Sequence, residues 1–236
     1  TITPFDVTDA ILHEFAQPSW EAVEREWLAG TISARECMER QVGLLNVPTR
    51  VLDAWLDDVP ITDGFREFTR FCGTQGLDLV VVSDGLDYAI KRVLSRHGMR
   101  GVPVIANRLL CRGDSGYALA FPYGNPGCPS GVCKCGVAGS LGDPVLLIGD
   151  GRSDCCLAGL ASLVLAKRGK ELHRHCKEHA YSCLPFEDFS DVLAIFENDR
   201  GPWRDAALSI PARHDPSSPC GHRNINHKSA TILEVV

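Results

Sequence analysis

Asp150 and Asp154 stand four residues apart in the segment Val145-Leu146-Leu147-Ile148-Gly149-Asp150-Gly151-Arg152-Ser153-Asp154. Four apolar residues run straight into GDGRSD, and such a run bounded by glycines predicts a buried strand. Acids just past the carboxyl end of a strand sit where open α/β sheets place ligands. Two carboxylates on a tight turn suit a hard divalent cation such as magnesium, which makes Asp150 and Asp154 candidate metal ligands. The competing structural role for Asp154 is a helix cap, and it could fill both. Upstream, Leu79-Val80-Val81-Val82 runs into Ser83-Asp84-Gly85. Lys134 lies in the glycine- and cysteine-rich loop GNPGCPSGVCKCG, ahead of the strand at 145. If these strands are parallel, all of these groups meet at one sheet edge. A hydroxyl, backbone amides, an ammonium and a metal-binding acid together suit a phosphoryl group, because amides and hydroxyl hold its oxygens while cations offset its charge. Ser83, Asp84, Gly85 and Lys134 are therefore the candidate phosphate-binding residues, with Ser83 and Lys134 also given catalytic roles. The plainer alternatives are a turn serine and a solvated lysine.

The elements that must carry these groups fall into two blocks. Residues 8 to 58 read as consecutive helices. Ser19 precedes a helix with Trp20, Val23, Trp27 and Leu28 on one face, and Ser33 with Glu36 has the spacing of a capping box. Thr49 could cap a further helix carrying Leu52, Trp55 and Leu56. From residue 61 strands alternate with helices, and residues 108 to 122 alternate weakly about Gly113, as a hairpin would. Alternating strands and helices imply βαβ units, so the fold class expected is α/β with a mainly parallel, Rossmann-like sheet. The expected domains are a core of residues 1–7 and 61–200 and a helical block of residues 8–60. Residues 201–236 are rich in Pro, Ser, His, Asn and Arg without sustained periodicity, and are read as an irregular tail.

The order VVSDG, Lys134, GDGRSD resembles the second, third and fourth motifs of the haloacid dehalogenase superfamily of phosphatases. The resemblance spans roughly residues 1 to 195 and is nearest to the phosphoserine-phosphatase-like branch. Within that branch TITPFDVTDAIL, VVSDGLDYAI, the CKCG loop, LIGDGRSDCCLA and PFEDFSDV look like the phosphatases of methionine salvage. The resemblance implies magnesium-dependent hydrolysis of a small phosphate monoester through an aspartyl-phosphate, under a cap formed by the helical block. The family's first motif, DxDGT, carries the nucleophile and the general acid–base on the first strand of the sheet. Thr1-Ile2-Thr3 looks like the sequence just after that DxDG. Both aspartates and their strand are expected immediately before residue 1, so the chain as written lacks the nucleophile and is expected to be inactive alone. An unpaired slot in the sheet is the structural expectation that follows.

Two further positions bear on the substrate. Asp6 stands where phosphoserine phosphatases carry a glutamate that contacts the substrate amine. Gln41, before Val42-Gly43-Leu44-Leu45, stands where those enzymes carry an arginine for the substrate carboxylate. Losing a fixed cation there disfavours a carboxylate-bearing substrate. A methionine-salvage phosphate ester is therefore the leading expectation, with a phosphoserine-like or phospho-amino-alcohol substrate as one alternative. A non-catalytic protein that binds a phosphorylated ligand or a partner is another. Cys128, Cys133 and Cys135 could ligate zinc if a histidine or Cys111 completed a tetrahedron, but C-x4-C-x-C is not a standard finger pair, and free or buried thiols are the reading taken. His173, His175, Cys176 and His179 are read as one solvated helix face.

Composition narrows the class of protein. The chain has 236 residues, 44% hydrophobic and 23% charged, with a formal net charge of -6. An acidic balance argues against nucleic acid and anionic membranes as partners. No run approaches the ~20 apolar residues that span a bilayer. Eleven cysteines, an odd number, with no basic-then-apolar opening segment, fit a cytoplasmic protein with reduced thiols. The expected partner is a small phosphorylated metabolite. Composition does not fix an oligomeric state.

Overall fold

A computed structural model describes residues 1–142, 144–198 and 231–235. Four helices come first: α1 (Val7–Phe15), α2 (Trp20–Leu28), α3 (Ala34–Val42) and α4 (Thr49–Asp57). They are followed by α5 (Phe65–Gln75), β1 (Asp78–Leu86), α6 (Asp87–Arg96), the hairpin β2 (Val104–Arg112) and β3 (Gly116–Ala120), and α7 (Lys134–Leu141). Next come β4 (Val145–Gly149), a 3-10 turn over Arg152–Asp154, α8 (Cys155–Ala158), β5 (Leu163–Lys167), α9 (Glu171–Glu178), β6 (Leu184–Phe186), α10 (Phe189–Glu197) and β7 (Thr231–Val235). The strand order is β3-β2-β1-β7-β4-β5-β6, and every pair except β2–β3 is parallel. This is the α/β, Rossmann-like core that the alternation of apolar runs predicted.

The sheet is covered on both faces because its strands are apolar on both. Val80 and Val82 point to one side with Leu147, Val164 and Ala166, where Val137, Ala138, Leu157 and Leu172 cover them. Leu79 and Val81 point to the other with Leu146, Ile148 and Leu165, under Phe65, Phe68, Phe189 and Phe196. This two-residue alternation is the pleat. Phe65 meets Phe189 edge-on at 4.8 Å, and Phe68 meets Phe196 likewise at 5.1 Å, tying α5 to α10.

The four leading helices build a third cluster. Ile11, Leu12, Trp20, Leu52 and Leu56 pack with Leu109, Tyr117 and Leu119 of the β2–β3 hairpin and with Ala89 and Val93 of α6. Ser33 caps α3 as its spacing predicts, accepting from the Glu36 amide at 3.1 Å. Ser19 does not cap α2 through its side chain. Leu28 is left 67% exposed, since it is the last residue of α2 and lies beyond the reach of the cluster.

The sequence reading of residues 201–236 as an irregular tail needs one correction. Thr231–Val235 forms strand β7 in the middle of the sheet, pairing Asp78–Val82 of β1 on one side and Val145–Ile148 of β4 on the other. Residues 201–230 and 236 lie outside the described residues. Five residues are too few for a periodicity signal amid polar neighbours, yet Thr, Ile and Val suit a pleated strand. The slot expected to stand open for want of a first strand is thus filled from the far end of the sequence, and the inner edges of β1 and β4 have their backbone partners.

Candidate active site

The carboxyl ends of β1 and β4 lie on the same edge, separated by β7, whose Val235 pairs with Val82 and whose Glu234 pairs with Ile148. At the end of β1, the buried Ser83 Oγ accepts from the Gly85 amide at 2.9 Å. Gly85 has little room for a side chain: a Cβ would sit 3.1 Å from both Ser83 Oγ and Thr8 Oγ1. The glycine lets the first turn of α1 close over the end of β1.

Asp84 turns toward the loop before α7. Its carboxylate accepts from the Val132 amide at 2.7 Å, and its carbonyl accepts from Asn107 Nδ2. Burial raises its pKa above the ordinary carboxylate value, opposed by the Lys134 ammonium. Asp84 therefore anchors the loop that delivers Lys134, and its own oxygens face that loop.

Lys134 opens α7 and is only 1% exposed. An ammonium in a first helical turn sits at the wrong end of the helix dipole, so it needs an anion close by. Asp154 supplies it: Lys134 Nζ donates to Asp154 Oδ1 at 2.6 Å and to Ser153 Oγ at 2.7 Å. The other oxygen of Asp154 accepts from the amides of Asp150 at 3.1 Å and Gly151 at 2.7 Å. Asp154 is equally buried. Gly149 must be glycine for this to fit, since a Cβ there would lie 2.6 Å from Asp154 Oδ2. Asp154 does not cap α8 through its side chain; its oxygens hold the turn and Lys134 instead.

Asp150 differs. Its side chain keeps 24% exposure at the strand end and accepts from Thr1 Oγ1 at 2.8 Å. Thr62 holds that N-terminal stretch in place, its hydroxyl donating to the Thr1 carbonyl and its amide to the Ile2 carbonyl. A partly exposed carboxylate fits magnesium, which uses one or two protein carboxylates and completes its shell with water and substrate. Among the described residues, no group of three or more His, Cys, Asp or Glu side chains is arranged to hold a metal ion.

The other candidates are engaged locally. Asp6 is exposed and caps α1, accepting from the Asp9 amide at 3.0 Å. Gln41 is buried between α3 and α2, donating to Glu24 Oε2 at 2.7 Å. None of the ten described cysteines forms a disulfide. In α9, His173 and Cys176 turn inward, so the solvated face proposed for this group does not include them.

Sequence reasoning missed Arg35. From the first turn of α3 its guanidinium donates to the carbonyls of Asn125, Cys128 and Ser130 at 3.0 to 3.3 Å, and its amide donates to Pro129. Gly124 admits it, since a Cβ there would lie 3.0 Å from Arg35 Nη2. The helical block thus grips the loop that ends at Lys134. Ser153 was also missed, although it lies inside the GDGRSD turn.

A parallel sheet with this edge, a buried lysine at a helix start and an aspartate turn after the next strand define a haloacid dehalogenase-type phosphatase. The chain belongs to that family, in its phosphoserine-phosphatase-like branch. It is 30% identical over 205 residues to 2-hydroxy-3-keto-5-methylthiopentenyl-1-phosphate phosphatase of Geobacillus thermodenitrificans, covering 82% of this chain and 90% of the relative. The protein of the same name from Geobacillus kaustophilus is 31% identical with the same coverage. Phosphoserine phosphatase of T. onnurineus shares the fold at a TM-score of 0.62 with 18% identity, over 84% of this chain and 90% of that one. A substrate-bound phosphoserine phosphatase does so at 0.61 with 20% identity, over 82% and 92%. No family model matches the chain. Among the described residues, no helix is long and apolar enough to cross a membrane.

Proposed function

We propose that this chain belongs to a magnesium-dependent phosphomonoesterase acting on 2-hydroxy-3-keto-5-methylthiopentenyl-1-phosphate or a close analogue. The observation that carries the reading is Lys134, buried against Asp154 and Ser153 on the edge where Asp150 stands. Two of its three ammonium protons go to those partners, and the third is suited to a phosphate oxygen. Ser83 and the Gly85 amide, already joined, would hold further phosphate oxygens. Asp150 is the residue that would hold magnesium, whose charge offsets that of the phosphate when bound. Asp154 acts as a positioning residue, fixing Lys134 and the turn. Helices α1 to α4, which make up most of residues 8–60, would serve as the cap that shields the site from water.

The covalent step needs a carboxylate nucleophile, such as the first aspartate of a DxDG segment. The Thr1 hydroxyl touches Asp150, so a segment preceding Thr1 would arrive at the metal-binding acid. Gln41 disfavours phosphoserine: it is neutral and committed to Glu24, so it offers a carboxylate no charge. The test uses the chain extended by its upstream codons. Turnover of the thiopentenyl phosphate should require magnesium and exceed that of phosphoserine. Preference for phosphoserine would overturn the substrate reading. A folded, extended chain with its DxD intact and no turnover of any phosphomonoester would instead identify a phosphate-binding protein.

A further inference from the structure

Two thiols from different elements meet behind the Lys134–Asp154 pair. Cys135, next to Lys134 in the first turn of α7, places its Sγ 3.1 Å from Sγ of Cys156 in α8. Even carbon atoms pack at about 3.5–4.0 Å, so these larger sulfurs are already closer than ordinary contact. A disulfide bond is about 2.05 Å long, and roughly 1 Å of approach would close it. The two thiols differ in access. Cys156 is exposed and Cys135 is buried, which is the arrangement of an attacking thiol with a resolving partner. Two other thiols lie nearby. Cys155 directs its Sγ at the Gly151 carbonyl, and Cys128 lies within electrostatic reach of both Cys133 and Cys156.

We propose that Cys135 and Cys156 are a reversible disulfide site that clamps α7 to α8 across the candidate active site. The oxidant is a hydroperoxide. The sulfur of Cys156 attacks one peroxide oxygen and the O–O bond breaks, giving a sulfenic acid and, with hydrogen peroxide, one water. The sulfur of Cys135 then attacks the sulfenic sulfur. The S–S bond forms, the S–O bond breaks and a second water leaves. Two thiols lose two electrons and two protons, and the peroxide is reduced to two waters. A dithiol reverses the change. Because Cys135 adjoins Lys134 and Cys156 lies two residues past Asp154, the bond would lock both members of that ion pair in place. The site stands apart from any choice of substrate.

Tryptic mapping of the full folded chain tests it. Cleavage after Lys134 and Arg152 separates residues 135–152 from residues 153–167, while Cys128 and Cys133 fall in residues 113–134. After titration with hydrogen peroxide and alkylation, peptides 135–152 and 153–167 should appear joined, two hydrogens lighter than their sum, and dithiothreitol should part them. Cys156→Ser should abolish the link and Cys155→Ser should retain it. Circular dichroism of each variant checks the fold. The proposal is overturned if Cys156 oxidises to sulfinic acid unlinked, if peptide 135–152 joins 113–134 instead, or if the link survives in Cys156→Ser.

Discussion

At the scale of single residues, the site is organised around a buried ion pair. Lys134 and Asp154 are both about 1% exposed, and each carries additional hydrogen bonds that fix its geometry. Removing one partner of a buried pair leaves the other charge uncompensated, which costs about 3–5 kcal/mol. Asp154→Ala should therefore lower stability by about that amount, read as a drop in the urea midpoint, and should also release the Asp150 and Gly151 amides. A loss below about 1 kcal/mol, the worth of an exposed pair, would contradict the burial described. The gathering of several candidate residues at one sheet edge was legible in the sequence. Ser83, Lys134 and Asp150 follow apolar runs or a glycine-rich loop whose composition announces them. The division of labour between the two aspartates was not, because it depends on which oxygens face Lys134, and that depends on α7 packing beside a turn twenty residues further on. Arg35 was illegible for the same reason: its acceptors are backbone carbonyls about ninety residues away, and carbonyls leave no trace in residue type.

At the scale of elements, two arginines stand out among the polar contacts that join the helical block to the core beside their shared apolar cluster. One is Arg35, through which α3 grips the loop Asn125–Ser130. The other is Arg92 of α6, which donates to both oxygens of Asp57 at 2.8 and 2.9 Å and pairs with Asp53 of α4 at 3.0 Å. The first lies beside Lys134, so its loss should be felt locally. Arg35→Ala removes a charged donor from three carbonyls, each such bond contributing about 1.5–3 kcal/mol net of exchange with water when well buried. Amide exchange across residues 125–134 should accelerate by at least tenfold, while exchange in β4 and β5 stays unchanged. Uniform acceleration through the sheet would show instead that Arg35 supports the whole fold. The helices themselves were readable from their spacing. The loop they hold was not, since glycine, proline and cysteine give no periodicity from which to place it.

At the scale of the molecule, the sheet consists of two three-stranded halves, β3-β2-β1 and β4-β5-β6, whose backbones are joined by β7 among the described residues. Ile232 of β7 is fully buried in the core between them. Ile232→Asp would place an unpaired charge there, and residues 1–236 carrying it should lose cooperative thermal unfolding by calorimetry. In a chain extended upstream by an apolar strand, the same substitution should be tolerated, because that strand would compete for the same slot. Equal damage in both chains would show that β7 keeps the slot whatever precedes Thr1. Within residues 1–236, β7 is also the last of the described strands in chain order. When these residues refold, its pairing with β1 closes a long loop, so the joining of the halves trails their making. Until it is complete each half-sheet keeps an inner edge of the kind that recruits stray strands.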